Sequence, residues 1–282
     1  MKQEDPGSIR SHLQSKTLRP TVFWRVAEDI PPRLRTVFNV TSIALPLFLW
    51  WLATTFGQFD PKFLPSPAQV LTAFGQLLQS GALLKDTVAS VWRVGVGFLG
   101  ATLLSIPIGV YGCSFASIRA LLEPLFGFIR YMPAPAFIPL LILYLGIEEE
   151  PKILLIVIGV FFFNVLMAMD TVKFVPKDLI ESTFMLGGNR LATLLQVIFP
   201  YVLPGLIDAC RINLAAAWQL VIVAELIAAT EGLGRHISVA GRFLRTDEIF
   251  VYLIIIGVIG MTLDLSLQYL MRVSCRWADQ KR

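Results

Sequence analysis

Glu181-Ser-Thr-Phe-Met-Leu-Gly-Gly-Asn-Arg-Leu-Ala-Thr-Leu-Leu-Gln-Val-Ile-Phe-Pro200 is the only long polar-punctuated segment between two strongly apolar blocks in the second half of this chain. Asp178 is placed to cap a short helix that starts near Leu179 and carries Glu181 in its first turn, where an acid suits the positive helix end. The pair Gly187-Gly188 supplies the backbone freedom that stops this helix. Asn189 can cap a second helix over Arg190–Val197, which Pro200 is expected to close. The sequence thus predicts two short helices meeting at a glycine elbow, a knob spanning about 170–200. Set between apolar blocks on the side rich in Lys and Arg, such a knob is suited to dock a soluble partner.

The blocks on either side are membrane spans. The chain has 282 residues, 55% of them hydrophobic and only 16% charged. Its mean hydropathy is +0.68. Soluble domains carry about 25% charged residues, so the deficit points to lipid. The net charge of +4 reads as membrane orientation, and no basic-aromatic run of the kind that grips nucleic acid is present. Cys113, Cys210 and Cys275 are far apart and read as small apolar fillers.

A crossing needs roughly 20 apolar residues. Six stretches qualify, near Phe38–Phe56, Val88–Tyr111, Leu121–Gly146, Ile153–Met169, Leu203–Ala229 and Ile249–Met271. Residues 1–37 form a polar arm without the apolar core of a signal peptide, and 272–282 a basic tail. A short amphipathic helix is expected over Ala68–Leu78, behind Leu64-Pro-Ser-Pro67, and a polar loop over Glu231–Glu248. With the N-terminus inside, the cytoplasmic segments hold 15 Lys/Arg, the outer segments six and the spans three. That asymmetry favours both termini and the knob in the cytoplasm. The fold class is therefore all-α and polytopic, with a membrane domain over 38–271.

Catalytic motifs are lacking. Gly95-Val-Gly97-Phe-Leu-Gly100 has dinucleotide-fingerprint spacing, but it lies inside an apolar span, where small residues let helices approach. His12 and His236 show no ligand partners in sequence. Charges within spans each need a partner or a function. Asp208 and Arg211 are three apart and can pair on one helix. Arg93 with Glu225, and Arg130 with Asp264, fall at matching depths. They fit either interhelical salt bridges or a polar path in which arginine forks meet an oxyanion. Three prolines, Pro133, Pro135 and Pro139, predict that the third span kinks or unwinds after Arg130, either where it lines a cavity or as a plain packing kink.

Glu181, followed six residues later by Gly187 and then by Val197-Ile-Phe-Pro200, resembles the EAA loop of binding-protein-dependent ABC importer permeases. That loop reads Glu-Ala-Ala, three residues, Gly, nine residues, Ile-x-Leu-Pro. The spacing agrees throughout; Ser182 and Thr183 stand for the alanines, Val197 for Ile and Phe199 for Leu. Arg130-x-x-Pro133, Leu145-Gly-Ile147, Arg211 with Trp218, and Ala224-Glu225-Leu226-Ile227 are similar to the subfamily serving taurine, alkanesulfonates, nitrate and bicarbonate. The run Ala224–Gly234 looks most like the taurine and sulfonate members. The resemblance implies a type I ABC importer permease fold with six transmembrane helices in the bacterial inner membrane.

It further implies a second permease subunit (a homodimer expected), two cytoplasmic ATPase subunits and a periplasmic or lipid-anchored binding protein. ATP and magnesium would be used by the ATPases, with no cofactor in this chain. The coupling residues would be Glu181, Ser182, Thr183, Gly187, Gly188, Arg190 and Pro200. Candidate pathway residues are Arg93, Arg130, Pro133, Trp218 and Glu225. A stand-alone secondary transporter or channel is the alternative, and it would need an ion-coupling site of its own.

Overall fold

Long apolar runs leave the backbone no partner in lipid but itself, so they fold as helices. The computed structural model describes residues 30–57 and 59–279. Every regular element among them is helical. Two units are distinguished, Met1–Gln58 and Phe59–Arg282. In the first, α1 (Pro32–Phe56) starts on a proline, contains Pro46 and buries none of its residues. It therefore begins within the expected polar arm, whose residues before 30 lie outside the described ones, His12 included.

The second unit opens with α2 (Pro67–Gln79), set by a complete capping box. The Ser66 hydroxyl accepts from the Gln69 N–H at 3.3 Å and the Gln69 side chain accepts from the Ser66 N–H at 2.8 Å. Its buried face is Val70, Ala73 and Leu77, the spacing of one helical stripe. Then come α3 (Ala82–Ser114) and α4 (Ala116–Ile129), with Phe115 alone between them. A 3-10 turn over Ala134–Phe137 leads into α5 (Ile138–Leu145). The axis bends by 80° between α4 and this second segment, so the stretch expected as one continuous span is interrupted. The break falls where the sequence puts it. Pro133 and Pro135 offer no N–H to continue the helix from Arg130.

The central helix is α6 (Glu150–Lys173), against which α3 and α9 (Phe199–Ala228) pack most extensively. Half of its apolar window is buried, against 11% for α11 (Thr246–Ser274), which leaves α11 largely facing outward. Two glycines of α3 set the α3–α6 distance. A β-carbon on Gly97 would meet Ile156 Cβ at 2.8 Å, and one on Gly109 would meet Ala168 Cβ at 2.5 Å. Gly95 and Gly100 face open space, so of the fingerprint-like run only Gly97 is a packing residue.

Between α6 and α9 lie α7 (Lys177–Met185), the single turn α8 (Arg190–Ala192) and a π-helical turn over Thr193–Ile198. The last polar segment is not a loop. It folds as α10 (Leu233–Arg242), followed by α11 and the short α12 (Arg276–Asp279). Among the described residues five helical runs are long and apolar enough to cross a membrane, or six if the bent pair is one span. Because α3 and α6 run opposite to α9, the start of α3 and the end of α9 share one end of the unit. The end of α3, α7 and the start of α9 share the other.

Candidate functional site

At the α7 end the glycine elbow closes as a Schellman cap. The Gly188 N–H donates to the Thr183 carbonyl at 2.9 Å and the Gly187 N–H to the Phe184 carbonyl at 3.0 Å. Gly187 has φ +82°, the left-handed conformation this cap requires. Asn189 caps the next turn, its side-chain oxygen accepting from the Ala192 N–H at 2.8 Å. The hydroxyls at 182 and 183 turn back on their own helix, Ser182 donating to the Asp178 carbonyl and Thr183 to that of Leu179. Standing where alanines are expected, they leave the geometry intact.

Two expectations need correcting. Pro176, not Asp178, occupies the N-cap of α7, and Asp178 lies within its first turn. Pro200 does not end a helix. The preceding turn widens to π register, with the Phe199 N–H reaching Leu194 O, and the proline is absorbed near the start of α9. The run from Arg190 to Ile227 is thus one continuous rod. Glu181 and Arg190 are exposed. At the elbow tip Met185 and Leu186 are 87% and 89% exposed, apolar residues that sequence reasoning passed over.

The opposite end holds a buried polar knot. Arg93, 1% exposed, donates through Nη1 to Glu225 Oε1 at 2.7 Å and to the Glu231 carbonyl at 2.8 Å. Its other two nitrogens grip Glu149 at 2.6 and 2.8 Å. Glu225 is closed by the Ser90 hydroxyl at 2.7 Å and the Gly234 N–H at 2.8 Å. Gly232, at φ +128°, passes so near that a β-carbon would meet Glu225 Cδ at 2.5 Å. Lys152 also reaches Glu149, and the two cations, Arg93 first, hold its carboxyl at about 2.

Beside this knot, Asp86 accepts from the Gly232 N–H at 2.9 Å and from the Tyr252 hydroxyl at 2.7 Å. His236 stacks on Tyr252, with Nδ1 3.1 Å from Asp86 and Nε2 3.1 Å from Glu248. Carboxylates at both ring nitrogens suit the doubly protonated ring, and they raise the His236 pKa, Asp86 contributing most. The partner of His236 is not visible in sequence because Asp86 lies 150 residues away.

Between the two ends Thr102, Asn164 and Asn213 join α3, α6 and α9. Asn164 donates to Thr102 Oγ1 at 3.3 Å and Asn213 donates to Asn164 Oδ1. These amides were not singled out, although polar side chains in apolar spans are a signal in themselves. Nearby, Asp264 pairs with Arg211 through both oxygens, at 2.8 and 3.0 Å, rather than with Arg130. Arg211 also meets Asp208 at 3.1 Å, the local pair expected from their spacing. Arg130 instead stacks over the Tyr131 ring at 5.0 Å, while Pro133 caps the 3-10 turn. Trp218 is 5% exposed, and its indole N–H has no partner among the described residues. Among the described residues no group of three or more His, Cys, Asp or Glu is placed to hold a metal ion.

Residues 101–278 match the family described as binding-protein-dependent transport system inner membrane component. The taurine transport system permease protein TauC of Escherichia coli K12 is 33% identical over 274 residues, covering 95% of this chain and 97% of that protein. SsuC of the same organism, named for transport of aliphatic sulfonates, is 33% identical over 230 residues, covering 81% of this chain and 87% of its own. Among solved structures, an inward-facing form of the MetNI methionine ABC transporter superposes with a TM-score of 0.63. It covers 70% of this chain and 97% of that one at 17% identity, a likeness of fold alone.

Proposed function

The chain belongs to the binding-protein-dependent transport system inner membrane component family, and from that membership we propose an ATP-driven importer of small sulfonates, amino- or alkyl-substituted, as its setting. It is a multi-pass permease subunit. The relatives named for taurine and aliphatic sulfonates favour that solute class over nitrate or bicarbonate. A stand-alone transporter or channel draws no support from them.

The elbow is the observation that carries the coupling part of this reading. Exposed Met185 and Leu186 project from a rigid cap at one end. The helix leaving that cap runs without a break to Glu225 in the knot at the other. An ATPase subunit gripping Glu181–Ala192 on the cytoplasmic side would tilt a rod of 38 residues, roughly 57 Å long at 1.5 Å per residue. The permease would work as a pair, fed from the outer face by a binding protein that supplies most of the selectivity. Nucleotide and magnesium belong to the ATPases, and this chain contributes the path and the lever.

The test is co-purification and uptake. The chain should carry an ATPase subunit through purification, and sulfonate uptake should stop when ATP is removed but survive collapse of ion gradients. Gly187→Val forces a β-branched residue into left-handed backbone and should cut both docking and uptake. Full co-purification and uptake in that variant would remove the elbow from the mechanism.

A further inference from the structure

Between the end of α3 and the base of the elbow lies a half-open cleft of about 200 Å³. A single water needs only roughly 10–15 Å³ of such space, so this cleft has room for an organic molecule. Its walls are Phe115 between α3 and α4, Ile180 and Phe184 of α7, and Leu194 and Ile198 of the π turn. The polar groups along it are few. The Ser114 hydroxyl donates to the Val110 carbonyl at 2.7 Å and the Thr193 hydroxyl to the Asn189 carbonyl at 3.0 Å, so neither has a hydrogen left to offer. Arg190 also lines the cleft, and its exposed guanidinium has no hydrogen bond or ion pair among the described residues. None of the described residues lining the cleft is an acid.

That pattern selects a ligand. An ammonium group would meet no carboxylate there, and an uncharged apolar molecule would leave the Arg190 fork unused. An oxyanion with a short apolar tail suits both features, its oxygens at the planar donors and its tail among the Phe, Ile and Leu side chains. We propose that the cleft is a cytoplasmic binding site for a short-chain alkanesulfonate, filled from inside the cell after import. The inference rests on the permease reading, which supplies the solute class and sets the elbow inside, and it adds a regulatory role for that solute. An occupant touches the end of α3, α7 and the start of the α9 rod together. It braces the elbow against the bundle and slows the tilt that an ATPase would impose on α9. Import is thereby restrained as its own product accumulates.

The full-length chain, in nanodiscs of phosphatidylcholine, is titrated calorimetrically with ethane-, butane- and hexanesulfonate, with 2-aminoethanesulfonate and with butylammonium. Affinity should rise about fourfold per added methylene until the cleft is full, as burial of one CH₂ predicts. The aminosulfonate should bind more weakly than ethanesulfonate, and butylammonium not at all. Arg190→Gln should weaken butanesulfonate about tenfold, the loss of one charge-assisted contact. Ser114→Leu, which fills the cleft from the α3 side, should abolish binding at an unchanged melting temperature; if that variant does not fold, Arg190→Gln at its exposed position still decides. Bound butanesulfonate should slow backbone amide exchange over 180–198. In vesicles holding the assembled importer, the ratio of uptake with and without preloaded butanesulfonate should fall for the native chain and recover in Ser114→Leu. Affinity indifferent to Arg190→Gln, unchanged binding in folded Ser114→Leu, or uptake indifferent to preloading overturns the site. Displacement of butanesulfonate by phosphatidylglycerol added to the nanodiscs would give the cleft to a lipid headgroup and overturns it too. None of these touches the permease reading, which stands or falls on co-purification with an ATPase and on ATP-driven uptake.

Discussion

A guanidinium 1% exposed among apolar helices survives only because each of its three nitrogens is hydrogen-bonded. Arg93 reaches Glu225, Glu149 and the Glu231 carbonyl, so removing it leaves two carboxylates facing each other. Arg93→Ala should destabilise the chain by roughly 3–5 kcal/mol, the cost of orphaning a buried charge, read as a fall in melting temperature in micelles. Arg93→Lys keeps the charge but loses the fork, and should recover only part of the loss. Sequence alone could flag Arg93 and Glu225 as costly residues. It could not show Glu149 closing the pair, because that acid sits in a polar turn where charge is unremarked. His236 was hidden for the same reason. Its charged form is the one that Asp86 and Glu248 hold, and its pKa is raised from 6.5. The tether among α3, α10 and α11 is therefore complete below pH 6.5 and weakens as pH climbs through the raised folded value. Melting temperature followed over roughly pH 5.5 to 8.5 should fall across that window in the native chain, and His236→Gln should flatten the component. A native profile that rises instead would contradict the charged tether.

Helices show the same division between local and distant information. The elbow after α7 was legible because its signals are local: a glycine pair, an asparagine cap and a change from apolar to polar residues. Asn189→Ala should cost about 1 kcal/mol of local stability, the usual worth of an N-cap, seen as faster backbone amide exchange over Arg190–Thr193. The local rule that a proline ends a helix fails at Pro200. Absence of an N–H and the clash with the preceding turn can also be met by widening that turn, and Thr193–Ile198 does so. Tertiary packing makes the compromise worthwhile, since Leu194, Ile198, Val202 and Leu206 share one core with α3, α4 and α6. Pro200→Ala removes the reason for the π turn. Reverting to α register turns the knob by about 100° relative to α9, one residue of helical phase. Uptake should then fall while ATPase docking persists, a separation measured by running pull-down and transport on the same preparation. Loss of both together would mean that Pro200 serves folding rather than phasing. The segment after Glu231 is polar in composition, yet Leu233, Gly234 and Ala240 are buried and seat α10 over the knot.

Across the whole molecule, span count and the locations of the breaks follow from hydropathy and proline placement, because lipid permits few alternatives. Which helix lies at the centre does not follow, since α6 and α11 are both long and apolar and only packing separates half-buried from nearly bare. Orientation is the remaining global property on which function turns. The elbow and the Arg93 knot lie at opposite ends of α9, so fixing one to a side of the membrane fixes the other. The excess of Lys and Arg in the segments assigned to the elbow side supports the proposed placement of that end in the cytoplasm, where nucleotide is found. The three native thiols are buried, Cys113 at 7%, Cys210 at 8% and Cys275 at 1% exposure, and they should stay silent toward a bulky maleimide. Leu186→Cys, at a position 89% exposed on the elbow, should be labelled by a membrane-impermeant reagent only after the cells are opened. Leu71→Cys, 71% exposed on α2 at the knot end, should be labelled in cells with permeable outer envelopes and intact inner membranes. The reverse pattern would put the elbow outside, out of reach of ATPases, and no arrangement of the residues within it could then make it a coupling device.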